Sequence, residues 1–495
     1  MSTASGRSGL VHAEPLIIER SAPGRVGCAL PPPLGDSEQA LRDIPESYLR
    51  STPPDLPEVD ELTVVRHFTR LSVWNHGIDT GMYPLGSCTM KHNPRINERL
   101  CRLDGFASLH PYAPADLCQG ALQLIWELQG YLAEISGFAC TTLQPAAGAQ
   151  GELTGVKMIR AFHKARGNPR KKVLVPDTAH GTNPATSSLS GYQAVEVKSG
   201  PEGVLLPDAV RAAVDEDVAA IMVTNPNTLG LFEEHIREIA EIVHAAGGLV
   251  YCDGANLNSM MGVARPGDMG IDVMQFNLHK TFSTPHGGGG PGSGPVGASA
   301  ELEPFLPLPV VKEKGGRFEL DFDRPQSIGR IKSFYGNFAV MVRAYTYIRE
   351  MGAAGLKRAS EMAVLNANYV RARLEGCYFL PYTRRSMHEV VFSDKHLEEH
   401  GVSTMDVAKR LLDFGFHPPT VYFPLVVHGA LMIEPTESES PETLDAFVES
   451  MKAISEEAAR DPELLKSAPR RTVVGRLDEV QAAREPVLTW RQTRE

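Results

Sequence analysis

The sequence predicts an α/β fold in which a mostly parallel sheet, covered by helices on both faces, is followed by a smaller α+β unit. Three observations carry that expectation. Short apolar runs of strand length alternate with helical stretches from about residue 121 to residue 276, the alternation that builds βαβ units. The runs are apolar throughout, as strands buried on both faces are. Polar residues stand just beyond several strand ends, where sheets of this kind bind ligands.

In chain order, residues 1 to about 60 are rich in proline (Pro31, Pro32, Pro33, Pro53, Pro54, Pro57) and read as an extended arm. A helical stretch near 62–75 leads into GIDTGMYPLGSCTMKHNP, residues 77–94. This loop collects Lys91, His92 and Asn93; loops so polar are often mere connections, and one of this length and composition is also a candidate to line a site. A helix over 122–136 precedes a strand over 138–143, the turn PAAGAQGE (145–152) and a second helix from residue 153. Strands follow at 172–175, 192–197, 218–223, 248–252 and 273–276. Helices are expected at 207–214 and 233–246, the latter with Ile236, Ile239, Ala240 and Val243 on one face. The last strand closes on Asn277 and is followed by Leu278, His279, Lys280 and a glycine-rich loop, Gly287 to Gly294. Residues 302–309 and 312–330 read as a connection, and 337–376 as a long helical region. Beyond it come strands near 377–381, 389–392 and 431–433 and helices at 405–414 and 444–458. The expected organisation is an arm over 1–115, a large α/β domain over 116–335, a small α+β domain over 336–460 and a tail over 461–495.

Composition narrows the class. At 495 residues and 42% apolar the chain can bury a sizeable core. A net charge of -11 and the lack of a basic stripe argue against a nucleic-acid binder. Seven cysteines with no C-x-x-C pair fit reduced thiols rather than a disulfide framework or a metal centre. No apolar run reaches the ~18 residues of a membrane span, so a cytoplasmic protein is expected.

The chemistry gathers at strand ends. Lys280 after a buried strand is a candidate amine nucleophile of the kind that forms Schiff bases. Asp253 ends the preceding strand, Asn225 another, and His180 follows a third. Gly148, Ala149 and Gln150 open a helix, where free N–H groups and the positive dipole end suit an anion. The glycine loop could add a backbone nest. Singly, each has a plain reading: a turn aspartate, a loop histidine, a surface lysine. Jointly they match what pyridoxal phosphate needs. Lys280 holds the aldehyde, Asp253 keeps the pyridine nitrogen protonated, His180 stacks on the ring, Asn225 donates to the phenolic oxygen, and the helix start takes the phosphate. A nucleotide loop is the weaker reading, because no Gly-Lys-Ser/Thr and no strand–GxGxxG–helix unit is present.

The segments MYPLGSCTMKHNP, QPAAGAQGE, TAHGTNPA, TNPNTLGLFE, DGANLN and NLHKTFSTPHGGGGPGSGP, between Met82 and Pro295, resemble the P-protein (glycine decarboxylase) family of the glycine cleavage system. Within it the chain is most similar to the C-terminal-half subunit of the split form. That resemblance implies the aspartate-aminotransferase type (type I) of pyridoxal-phosphate fold, with Lys280 as the Schiff-base residue, His180 as the stacking residue and Asp253 as the pyridine partner. It implies decarboxylation of glycine, with the aminomethyl group passing to the lipoyl arm of H-protein. It also implies a partner half, subunit 1, in an assembly of two of each. Two other readings stay open: another decarboxylase or lyase on the same fold, and a non-catalytic half of such a complex.

Overall fold

The structure is a computed structural model and describes residues 14–490 apart from 33, 36, 53, 288 and 289. Its contacts divide the chain into two compact units: Ile78–Ala468, and the segments that precede and follow it.

The larger unit is organised by a seven-stranded sheet. Its strands are β1 (Cys140–Thr142), β2 (Lys172–Pro176), β3 (Gln193–Val197), β4 (Val218–Thr224), β5 (Leu249–Gly254), β6 (Val273–Phe276) and β7 (Val296–Ala298). Their spatial order is β1-β7-β6-β5-β4-β2-β3. The five strands from β6 to β3 run parallel, while β7 is antiparallel to both β6 and β1. Every residue of β4, β5 and β6 is buried. Helices on both faces explain why these strands are apolar throughout rather than alternating. The helix Ile236–Ala245 turns Ile236, Ile239, Ala240 and Val243 inward, as its periodicity predicts. The helix Gln119–Ser136 stops at Gly137, whose φ of 78° is the left-handed cap that glycine adopts at no steric cost.

Three differences from the sequence reading have physical causes. The strand β7 was missed because its three residues follow directly on the glycine loop. The connection after residue 302 contains a hairpin, β8 (Val310–Lys314) and β9 (Arg317–Asp321). Its turn is Gly315–Gly316 with φ of 60° and 82°, a two-glycine signal that charged flanking residues obscured. The stretch 377–381 is not a strand: Tyr378 and Phe379 make only isolated bridges. The long helix Phe338–Leu374 is broken at Gly352, where φ is 59°.

A second core lies beyond that helix. Here β10 (Val390–Ser393) and β11 (Thr420–Val421) flank β12 (Ala430–Ile433) in an antiparallel sheet. Phe392, Leu431 and Ile433 pack with Phe447, Met451 and Ile454 of the helix Pro441–Arg460. Leu85 bridges to Ile433, so the 77–94 loop reaches this small sheet. In the other unit, the helix Glu61–Trp74 is capped by Asp60, whose carboxylate accepts from the Thr63 N–H at 2.8 Å. The buried Glu14 there receives Arg20, His67 and Arg70.

Candidate active site

Sheet order places the chemistry. The strands β6, β5, β4 and β2 are consecutive neighbours, and their carboxyl ends carry Lys280, Asp253, Asn225 and His180 in that sequence. Register keeps the ends level: Thr224 pairs with Asp253, and Asp253 with Gln275.

Asp253 is buried and oriented from three sides. Its Oδ1 accepts from Gln275 Nε2 at 2.5 Å and from the Ala255 N–H at 3.0 Å, and its Oδ2 accepts from Asn183 Nδ2 at 3.4 Å. Asn225 is equally buried, and its Oδ1 accepts from the Glu233 N–H at 3.0 Å. Its Nδ2 donor has no partner among the described residues, the condition of a group waiting for a ligand oxygen. His180 is exposed in area, yet enough protein surrounds its ring that desolvation lowers the imidazole pKa. The Asp253 charge opposes that shift and Lys280 reinforces it. Its Nδ1 accepts from the Thr182 N–H at 3.2 Å.

The helix Gly148–Ala165 opens on backbone N–H groups of the kind that receive an anion. Its first intrahelical bond runs from the Gly151 N–H to the Ala147 carbonyl, so the N–H groups of Gly148, Ala149 and Gln150 precede the ladder. The Gln150 side chain is spent on structure: Oε1 accepts from the Ala146 N–H at 2.7 Å, and Nε2 donates to the Ile331 carbonyl at 2.8 Å. A Cβ on Gly148 would lie 2.6 Å from Asn277 Oδ1, and one on Gly294 would lie 2.0 Å from the Ala147 carbonyl oxygen. Both glycines are therefore required by close approach. The latter half of the glycine loop is not an anion nest, a correction to the sequence reading. The Ser293 N–H is spent on His279 Nδ1 at 3.1 Å and the Gly294 N–H on the Pro145 carbonyl at 2.9 Å. Gly288 and Gly289 lie outside the described residues.

Lys280 is half-buried, and its Nζ donates to the Ser87 carbonyl at 2.8 Å. The 77–94 loop thus lines the lysine. Lys91, in the same loop, is buried; its Nζ donates to the Thr281 carbonyl at 2.7 Å and to Glu437 Oε1 at 2.6 Å. Burial alone would lower its pKa, but Glu437 and Tyr347 outweigh burial and raise it.

Several acidic groups of the site escaped the sequence reading. Glu152 is buried on the helix Gly148–Ala165 and accepts from Thr182 Oγ1 at 2.6 Å and Thr186 Oγ1 at 3.2 Å. Desolvation, with the Asp253 charge, pushes its carboxyl up to about 7. Glu389, just before β10, and Glu434, just after β12, are wholly buried beside His388. One oxygen or nitrogen of each lies within 4.8 Å of the others. Their only signal was an acid adjoining an apolar run, in HEVVF and LMIEP. The Cys88 thiol is held up by burial, with Lys280, Glu434 and Glu389 as its charged neighbours.

Comparison with known proteins gives the same picture from outside. Residues 36–316 match the family described as glycine cleavage system P-protein, and residues 359–468 match glycine dehydrogenase, C-terminal domain. A probable glycine dehydrogenase (decarboxylating) subunit 2 from Caldanaerobacter subterraneus subsp. tengcongensis is 58% identical over 477 residues, covering 96% of this chain and 98% of that one. A protein of the same description from Thermococcus onnurineus is 57% identical over 488 residues, covering 97% of each. Among solved structures, an inhibitor-bound glycine decarboxylase (P-protein) of the glycine cleavage system superposes with a TM-score of 0.73 at 23% identity. That match covers 85% of this chain and 95% of the other. An aspartate aminotransferase from Thermus thermophilus superposes at 0.57 and 15% identity, covering 76% of this chain and 99% of the other. The aminotransferase-type fold expected from the sequence is thereby established.

Proposed function

The chain belongs to the glycine cleavage system P-protein family, and on that premise we propose that it decarboxylates glycine with pyridoxal phosphate held at Lys280. One observation carries the residue assignment: Lys280, an oriented Asp253 and the unpartnered Asn225 Nδ2 end three adjacent strands, level in register, beside a helix that opens on Gly148. When bound, pyridoxal phosphate supplies the electron sink that makes loss of the glycine carboxylate possible.

The residues that would hold it fit the group. Lys280 provides the amine for covalent attachment. Asp253, fixed by Gln275, Ala255 and Asn183, presents a carboxylate that cannot swing away. Asn225 Nδ2 offers a donor that is buried and otherwise unsatisfied. The N–H groups of Gly148, Ala149 and Gln150 face an anion with the positive end of an eighteen-residue helix. His180, open on one side, covers the site as the stacking residue. The buried acids Glu152, Glu389 and Glu434 surround the site with groups that exclude bulk water and hold protons.

The closely similar chains are named subunit 2, so the reading includes a partner subunit 1, two copies of each, and acceptance of the aminomethyl group by lipoylated H-protein. Among the described residues no helix is long and apolar enough to cross a membrane, and the reading places the chain in the cytoplasm.

The test is a visible spectrum of the chain with pyridoxal phosphate, wild type against Lys280→Ala, followed by borohydride reduction and peptide mapping. A yellow band that depends on Lys280 and is reduced onto its peptide is the expected result. Absence of the band even with the partner subunit present would overturn the reading. Glycine, partner and H-protein together should then release carbon dioxide, and release that ignores H-protein would point to a different decarboxylase.

A further inference from the structure

The turn that receives Lys280 is held in a conformation its residues do not favour. Ser87 has φ of 63° and Thr89 of 45°, the left-handed region that a β-branched residue rarely enters. Side chains distant in sequence hold it there. Glu389 Oε2 accepts from the Ser87 N–H at 2.7 Å, and Glu434 Oε2 accepts from the Thr89 N–H at 3.0 Å. Just before the turn, Gly86 sits so close to β12 that a Cβ would meet Met432 Cγ at 2.2 Å, and its carbonyl accepts from Thr420 Oγ1 at 2.8 Å.

We infer that Glu389 and Glu434 are positioning residues for Lys280: they hold the Ser87–Thr89 turn in its left-handed conformation and so fix the carbonyl that receives the lysine amine. This rests on the reading of Lys280 as the cofactor-bearing residue and deepens it. Without the two carboxylates, nothing else among the contacts of these N–H groups would retain the positive φ, and the turn would relax away from Lys280.

The cluster is better suited to this task than to a cation. Three of its four carboxylate oxygens already accept from protein donors: Ser87 N–H, Thr89 N–H and, at 3.2 Å, Asn258 Nδ2 on Glu434 Oε1. The fourth, Glu389 Oε1, is unpartnered and lies 3.7 Å from His388 Nε2. The positive charge that offsets the pair is Lys280 itself, which draws down both carboxyls and His388. Burial, with the charge of Glu434, raises Glu389, and burial pushes Glu434 up to about 7. Near neutral pH the pair therefore keeps a proton, and glutamine, which keeps the acceptor and drops the charge, is its natural mimic. The other titratable groups facing Lys280 are Cys88, His180, His279 and His286.

The experiment compares wild type, Glu389→Ala, Glu434→Ala and the two Gln variants of the full chain with its partner, reading the visible band of added pyridoxal phosphate against pH. The wild type and every variant should form a band. In the Ala variants it should form about tenfold more slowly, the worth of one buried hydrogen bond, and change with pH over a displaced range. The Gln variants should recover to within about twofold, since their acceptor remains. If the Ala variants match wild type in rate and pH profile, the inference is wrong. A wild type without any band defeats the Lys280 reading instead, and a wild-type band abolished by chelator would assign the cluster to a cation. Should the Ala variants fail to fold, Glu389→Asp decides. It keeps the carboxyl group but withdraws it by one methylene, so it should behave as Ala is expected to, and an unchanged profile overturns the inference.

Discussion

The rim of the parallel sheet and the 85–94 loop both reach Lys280, but they are built differently. On the rim, Asp253, Asn225 and Lys280 are placed by the backbone. Strand register levels them: Asp253 lies within a fully buried strand, and Asn225 and Lys280 follow the ends of two others. In the loop, nothing regular fixes the chain; Ser87, Thr89 and Lys91 are held by carboxylates between 302 and 346 positions away. A rim position tolerates loss of a neighbouring side chain because the sheet remains. A loop position does not, since its geometry is the sum of a few buried polar contacts, each costly when one partner is lost.

That contrast can be broken by experiment. Its largest expected stability effect is Lys91→Ala, which leaves the half-buried Glu437 without its cation and should cost about 3 kcal/mol in urea denaturation. A cost no greater than that of an exposed lysine would show that the loop has other support. The partner change Glu437→Ala, combined with it, should be far less than additive, because the two share one interaction.

An effect no larger is expected beside the rim, where it takes the form of a pH slope. The Glu152 carboxyl holds its proton up to about 7 in the fold against 4.5 when free. Protonation therefore stabilises the fold fully below 4.5, and that contribution is lost as pH rises through 7, amounting to up to about 3 kcal/mol. The melting temperature of the cofactor-free chain should fall between about pH 5 and about pH 8, and Glu152→Gln should flatten that fall. An unchanged slope would show that Glu152 is ionised in the fold.

The smallest is Thr420→Val, which removes the hydroxyl on the Gly86 carbonyl and should cost about 1 kcal/mol, with the Lys280 band slowed less than by either glutamate variant. A larger effect than theirs would shift the hold on the turn from the carboxylates to β11.

Much of the fold was legible because its strands are buried on both faces and its helices amphipathic, so period alone separated them. The strands β2 to β6 were placed within two residues of their observed ends. The site was legible where chemistry stood at a strand end: Lys280, Asp253, Asn225 and His180 all lie on adjacent strands. Legibility failed at Glu389, Glu434 and Glu152, since a buried acid in sequence looks like any acid beside an apolar run. It failed also for the glycine loop, whose glycines read as an anion nest; those described from Gly292 to Gly294 serve close packing against His279 and Ala147.

What the sequence determined by itself was therefore the alternation of elements, the residues at the strand ends and the glycine that opens a helix after a strand. All of these follow from local periodicity and from glycine placed before a helix. The tertiary structure alone decided which acids meet, how the Ser87–Thr89 turn is held, and which loop reaches the lysine. Those contacts join residues about three hundred positions apart. Burial, not composition, sets whether such a carboxylate is an ordinary surface charge or a proton-holding clamp.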